Sequence, residues 1–235
     1  MKNTDIISPK NNSKNSDEKM SIIIRLKNLF FHPSNLISYI ENNPNVMFPI
    51  LFIWIFNIGA VAIEFNNFKS AVKDMLLAQL QYNESSITDG VVKIAVFISP
   101  LFSIFTILFS ILITTSIFFI FVKVLKGKGY FKQYLSLITY SSIINLIGLI
   151  LLMINSIFTG KFLLSADVTI FEILNIKLAS NYFYGILSYF TISNILNIWQ
   201  YLLIAIGIAK ISKINKKDVY LFTFCIYIAS ILLNH

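Results

Sequence analysis

Residues 94–122 form an apolar run of 29 residues that contains no charged side chain and is bounded by Lys93 and Lys123. A helix needs about 20 mostly apolar residues to cross the ~30 Å hydrocarbon core of a bilayer. Because lipid offers no hydrogen-bond partner to an open strand, the run is expected to be helical. It is long enough to tilt or to extend beyond the bilayer, and Pro100 is expected to kink it near its start.

Four further apolar runs have the composition of membrane spans. Of the whole chain, 56% is hydrophobic and only 13% is charged, against about 25% charged in soluble domains. The last run is short, so its ends or a thinned bilayer must compensate. The predicted fold is therefore an all-α integral membrane protein, with a bundle of five transmembrane helices over residues 46–235. The other four spans are 46–63, 134–158, 183–209 and 219–233.

Two segments precede the first span. Residues 1–20 are polar and rich in Asn, Ser and Lys, a composition that predicts a disordered cytoplasmic tail. Residues 21–45 carry apolar residues at helical spacing together with Arg25 and Lys27, and Pro33 interrupts them. This pattern predicts an interfacial amphipathic segment of one or two helices, with its basic side chains among anionic headgroups. The alternative is a docking site for a soluble partner.

The distribution of Lys and Arg predicts the orientation. With five spans, the segments on one side carry 14 of the 19 basic residues and those on the other side carry 5. Excess Lys and Arg marks cytoplasmic loops. The N-terminus is therefore predicted to be cytoplasmic and the C-terminus outside, in the plasma membrane. Because topology accounts for the net charge of +8, no nucleic-acid partner is expected.

The sequence offers little material for catalysis. No ionisable residue lies well inside a predicted span, and Glu64 and Lys93 lie at outer edges. The two histidines, His32 and His235, are far apart, and Cys225 is the single cysteine. These residues cannot supply a zinc protease motif, a Ser-His pair or a cysteine-based zinc site. We therefore predict no catalytic residue, no metal, no cofactor and no enzymatic activity.

Uncharged polar residues recur at helical spacing in two of the spans. Residues at this spacing share one helix face, and amides in hydrocarbon need partners, so both faces should point into the bundle. One reading is helix packing. The other is a polar groove between the second and fourth spans for a lipid headgroup, a peptide or a substrate. The residues concerned are Ser99, Ser103, Thr106, Ser110 and Thr114, and then Ser193, Asn194, Asn197 and Gln200.

The segment between the second and third spans is a candidate loop for partner binding. Its two glycines are expected to loosen a cytoplasmic turn, and its lysines to hold that turn on the inner face. It lacks the length and surroundings of a phosphate-binding loop. The candidate residues are Gly127, Lys128, Gly129, Tyr130, Phe131 and Lys132.

Two stretches, FFHPSNLISYIENNPNVMFPI and GKGYFKQYLSLITYSSIINLIG, resemble the bacterial branch of the Yip (Ypt-interacting protein) domain family. Pro33 and the ENNP at 41–44 match the family's approach to the first span. The glycine-rich loop that ends in Phe-Lys-Gln and the Tyr140-Ser141 pair match its third-span region. The proline that family members often carry shortly after that pair is absent, and Ile143, Ile144 and Asn145 stand there instead. The acidic-leucine-tyrosine-glycine-proline motif of eukaryotic trafficking members is absent too, so binding of Rab GTPases is not implied.

The resemblance implies five spans, a cytoplasmic N-terminus and an integral membrane scaffold. The expected function is a non-enzymatic multi-pass protein that binds membrane lipids or partner proteins of the membrane or cytoplasm. The alternative is a permease-like subunit of an exporter, or a protein that gives immunity to a membrane-active peptide. The oligomeric state is left open.

Overall fold

The structure is a computed structural model that describes residues 20–80, 89–159 and 192–233. All regular structure in those ranges is helical. The helices are α1 (Ile22–Phe31), α2 (Pro33–Asn42), α3 (Met47–Ile63), α4 (Phe65–Leu80), α5 (Asp89–Val124), α6 (Phe131–Ser142), α7 (Asn145–Thr159), α8 (Ile192–Ser212) and α9 (Lys216–Leu233).

Helix α5 contains the predicted second span. Its 36 residues at 1.5 Å each make it about 54 Å long, longer than the hydrocarbon core is thick. The helix continues through Pro100, although proline cannot donate a hydrogen bond to the carbonyl of Val96. The Ser99 hydroxyl donates to that carbonyl at 2.9 Å instead. A local hydroxyl thus supplies the bond that proline removes.

Helices α6 and α7 cover the third predicted span, but the predicted single helix is interrupted at Ile143 and Ile144. The amides of both residues bond to carbonyls three residues earlier, which is the 3₁₀ pattern. Hydroxyls that bond to the carbonyl four residues earlier compete with the helical ladder. Three such hydroxyls precede the break, at Thr139, Ser141 and Ser142. The interruption lies where the resemblance would place a proline.

Three stretches of the described residues are long and apolar enough to cross a membrane: Asp89–Val124, Phe131–Phe158 and Ile195–Ser212. A fourth crossing is possible if α3 and α4, which meet at a bend of 91°, count as one broken span. The 17 residues of α3 measure about 25 Å alone. Helix α9 is not in this group because it begins with the charged residues Lys216, Lys217 and Asp218. Residues 183–191 of the fourth predicted span lie outside the described residues.

Helix α1 turns a different face to the protein than its sequence pattern indicated. Its buried residues are Arg25, Asn28 and Leu29, whereas Ile23 is 77% exposed and its two neighbouring isoleucines are about half exposed. The prediction that Arg25 lies among headgroups is wrong, because this side chain is only 8% exposed. Its guanidinium donates to the Tyr140 hydroxyl at 3.2 Å, so Arg25 attaches α1 to the bundle.

Helix α6 lies at the centre of the bundle and packs against α2, α3, α5 and α8. In the candidate span that α6 forms with α7, 56% of an 18-residue apolar stretch is buried, against 17% of the corresponding stretch of α5. Tyr134 and Tyr140 of α6 are completely enclosed. Helix α5 therefore presents most of its apolar surface outward, as a lipid-facing helix does, while α6 forms the core.

Candidate binding cavity and paired-loop surface

A cavity of about 600 Å³ lies between α5 and α8, within the 300–1,000 Å³ range of small-molecule sites. The α6–α7 span forms its back wall, and α3 and α9 contribute to its sides. Among the described residues that line it, the polar ones include no Asp, Glu, Lys, Arg or His. They are Asn57, Thr106, Ser110, Thr114, Ser142, Asn145, Asn197, Gln200, Tyr201 and Ser230.

The two sets of polar residues predicted on the second and fourth spans, which we call the polar stripes, lie only partly in the cavity. Five of their nine residues line the cavity: Thr106, Ser110, Thr114, Asn197 and Gln200. Ser99 and Ser103 do not line it, and their hydroxyls donate to carbonyls of their own helix. Ser193 and Asn194 lie in α8, but their side chains fall outside the described residues. The stripes of the two helices thus meet across the cavity only in the middle of α5.

Hydrogen bonds inside the cavity use only part of its polar groups. Gln200 Nε2 donates to Ser142 Oγ at 3.3 Å, and Asn57 Nδ2 donates to the carbonyl of Ile53 at 2.8 Å. Within the described residues, no hydrogen bond uses the side-chain oxygen of Asn57 or Gln200. These two oxygens therefore have no hydrogen-bond donor among the described residues, and the Asn197 amide lies beside them in the cavity wall.

Half of the polar lining residues were not predicted as site residues: Asn57, Ser142, Asn145, Tyr201 and Ser230. The two asparagines carried a usable signal, because an amide within an apolar span needs a partner. Asn145 follows the break between α6 and α7, which the sequence did not predict. The hydroxyls gave no comparable signal, since serine and tyrosine are common throughout the spans.

A second candidate site is formed by two loops that lie side by side, residues 125–130 between α5 and α6 and residues 213–215 between α8 and α9. We refer to them together as the paired-loop surface. The Lys128 amide donates to the carbonyl of Ser212 at 2.8 Å. A Cβ at position 127 would lie 2.6 Å from the Ile214 side chain. Glycine at position 127 thus lets the loops approach closely, and the prediction that it loosens the turn is wrong.

Gly129 has the same role for a different reason. Its φ of +93° lies in the left-handed region that favours glycine. An added Cβ would also lie 2.5 Å from the Tyr134 hydroxyl, which donates to the carbonyl of Lys128. The loop is therefore held from both sides rather than free.

Contacts with residues 21–45, the predicted interfacial segment, complete this end of the bundle. Gln133 Nε2 donates to the carbonyl of Glu41 at 2.6 Å, and the Glu41 carboxylate pairs with Lys213 at 3.2 Å. Lys210 Nζ donates to the carbonyl of Ser34 at 2.9 Å. Three segments that the charge pattern assigns to one side of the membrane therefore meet at one end of the structure.

Not every residue of the predicted partner loop is available to a partner. The Phe131 ring packs edge-on against Phe119, with 5.4 Å between ring centroids. By contrast Lys128 and Lys132 are exposed, and Tyr130 is 79% exposed. Together with Lys132 at the start of α6, the accessible part of the paired-loop surface thus combines lysines with one exposed tyrosine.

At the other end of the bundle, a buried carboxylate lies at the bend between α3 and α4. Glu64 is 6% exposed, and its Oε2 accepts hydrogen bonds from Ser156 Oγ at 2.8 Å and Asn67 Nδ2 at 3.0 Å. The sequence placed Glu64 only at the edge of a span. Within the described ranges, no group of three or more His, Cys, Asp or Glu residues could hold a metal ion.

Comparison with known proteins gives one finding. Residues 27–233, most of the chain, match the family model described as the Yip1 domain. No curated protein matches the chain, and no solved structure matches it.

Proposed function

Because the chain belongs to the Yip1 domain family, we propose that this membrane protein is a non-enzymatic scaffold that binds partner proteins at its paired-loop surface. The observation that supports this most is the close pairing of the two loops. Surfaces that are already ordered lose little conformational entropy on binding. A basic surface also steers acidic partners towards it, so an acidic segment of a partner protein is the expected ligand.

The proposal includes a plasma-membrane topology of five spans, with the N-terminus in the cytoplasm and the C-terminus outside, and with α9 as the last span. It rests on the bias of basic residues, 14 against 5, and on the meeting of the three basic segments at one end. It also places α1 in the membrane interface. In support, α1 buries Arg25 and Asn28 and turns its isoleucines outward, the reverse of a water-facing helix.

Labelling of single cysteines tests this topology in intact cells. Cys225 is exposed, so it is first replaced by serine. We expect Lys128→Cys to react with an impermeant maleimide only after the membrane is permeabilised, and Ser70→Cys, at an exposed site on α4, to react before. The reverse pattern would refute the orientation.

Photo-crosslinking tests partner binding. A photoreactive amino acid in place of Tyr130 should capture the same protein repeatedly in native membranes, and Lys128→Glu with Lys132→Glu should abolish the adduct. The matched controls are the same photoreactive residue in place of Ser70 and the substitution Lys73→Glu on α4. Adducts that are equal at both positions, or that survive the charge reversal, would contradict the proposal.

A further inference from the structure

We propose that the cavity between α5 and α8 binds an uncharged membrane lipid whose headgroup carries hydroxyls or amides. This inference concerns a different part of the molecule from the paired-loop surface. Crosslinking at Tyr130 can fail while binding in the cavity is demonstrated, and the reverse also holds.

The depth of the cavity favours a ligand from the bilayer. Thr114 lies ten residues before the end of α5, and Gln200 twelve residues before the end of α8. At 1.5 Å per residue, both side chains are about 15–18 Å from the basic end of the bundle. Thr106 is about 25 Å from the other end of α5 by the same measure. The polar groups therefore lie near the middle of the spans, where the surrounding medium is hydrocarbon.

Exposed residues of α5 border the cavity. Thr106 and Ser110 line it and are exposed, as is Asn145 on the back wall. On α5, the neighbouring Phe105 and Phe109 are 69% and 66% exposed. A lipid could place its headgroup against the polar wall while its acyl chains lie along these phenylalanines.

The chemistry of the lining selects an uncharged headgroup. Desolvating a phosphate at this depth would require a cation or several charge-assisted donors, whereas the polar groups on the cavity wall are amides and hydroxyls. The side-chain oxygens of Asn57 and Gln200 accept hydrogen bonds, and the Asn197 amide both donates and accepts. Such a wall matches ligand hydroxyls, which can do both as well. An apolar occupant would leave these groups unpaired, at a substantial cost.

Photoaffinity labelling in vesicles tests the inference. The protein is reconstituted into phosphatidylcholine vesicles that contain a diazirine-bearing diacylglycerol, or a phosphatidic acid with the same labelled chains. We expect the neutral probe to label peptides of α5 and α8 that line the cavity, and unlabelled diacylglycerol to compete. The phosphatidic acid probe should label these peptides at least about fivefold less.

Two variants should remove this labelling while the protein stays folded. Asn197→Leu with Gln200→Leu removes the α8 amides without loss of volume, and we expect at least about a fivefold loss from the missing hydrogen bonds. Ser110→Phe fills the cavity from an exposed position of α5. If the double variant does not fold, Ser110→Phe carries the test. The matched controls are Asn42→Leu on α2 and Leu112→Phe at an exposed position of α5 that does not line the cavity.

Several outcomes would overturn the inference. Equal labelling by the neutral and anionic probes would show that the headgroup is not selected. Labelling that persists in the Ser110→Phe variant, or that is confined to the outer face of α5, would show contact with bulk lipid only. Displacement of the probe by an apolar peptide but not by diacylglycerol would identify a peptide site instead.

Discussion

Replacing Gly207 by alanine should destabilise the bundle, because this residue lies where α8 crosses α6. A Cβ at position 207 would lie 2.4 Å from Leu137 Cδ1 and 2.5 Å from Cδ2. Ordinary contacts between carbon atoms are about 3.5–4.0 Å, so the overlap exceeds 1 Å. Leu137 is only 2% exposed and has little room to move away. The helices must therefore separate, or Leu137 must adopt an unfavourable rotamer.

A matched variant allows the size of this effect to be measured. Gly59 also lies inside a helix, α3, but no atom of the described residues lies within 4 Å of the Cβ that alanine would add there. Both substitutions gain about 1 kcal/mol of helix propensity, so their difference isolates the clash. Overpacking a core costs about 1–3 kcal/mol. Each kcal/mol shifts the unfolding temperature of a domain of this size by roughly 2–4 °C. For a clash of about 2 kcal/mol, Gly207→Ala should thus unfold about 4–8 °C below Gly59→Ala.

Thermal unfolding in mild detergent, followed by size-exclusion chromatography, measures both variants against the natural sequence. A double-mutant cycle with Leu137→Ala adds a direct test, since the cost of Gly207→Ala should largely disappear when the opposing leucine is truncated. If Gly207→Ala is as stable as Gly59→Ala, or if its cost is unchanged in the Leu137→Ala background, then α6 and α8 do not approach each other as described.

Three further predictions concern other contacts. Glu64→Leu should lower the free energy of unfolding by about 1–3 kcal/mol, because the buried Ser156 hydroxyl loses its acceptor, whereas the half-buried Asn67 amide keeps Ser156 Oγ as an acceptor. By comparison Asp74→Asn on the exposed face of α4 should change the free energy of unfolding by less than about 0.5 kcal/mol. If a denaturant titration gives equal effects for the two variants, the buried contacts of Glu64 are contradicted. Arg25→Ala should detach α1 and raise its rate of chymotrypsin cleavage roughly tenfold. Lys27→Ala is the control, and an unchanged rate in Arg25→Ala would show that α1 is held otherwise. Gly129→Ala should cost about 1–3 kcal/mol through strain and overlap, and a variant with unaltered thermal stability would disprove the tight turn.

The resemblance to the Yip family was recognisable from two short stretches, and the family match over residues 27–233 confirms it at the level of the family. The helical fold and its membrane character were also predictable from sequence. Both follow from local composition, because a long apolar run in lipid can satisfy its backbone only as a helix. The predicted count of five spans is more specific than the three or four that the described helices support.

The candidate site was predictable in part. The stripe on α5 was identified by spacing alone, but only its last three residues, Thr106, Ser110 and Thr114, line the cavity. Ser103, on the same face of the helix, does not. Spacing defines a face of a helix, whereas the position of the neighbouring helices decides which part of that face meets another polar surface. For the same reason the contribution of Asn57 from α3 was missed.

The sequence by itself determined that the long apolar stretches are helical and which loops carry the basic residues, because both depend on residues that are close together in sequence. Only the tertiary structure decided that Glu64 is buried at a bend and that Arg25 points inward. It also decided that Gly127 and Gly129 tighten a turn. Each of these outcomes depends on a partner some 85–120 residues away, or on a close approach between loops. Such contacts depend on how the helices pack, which their composition leaves open.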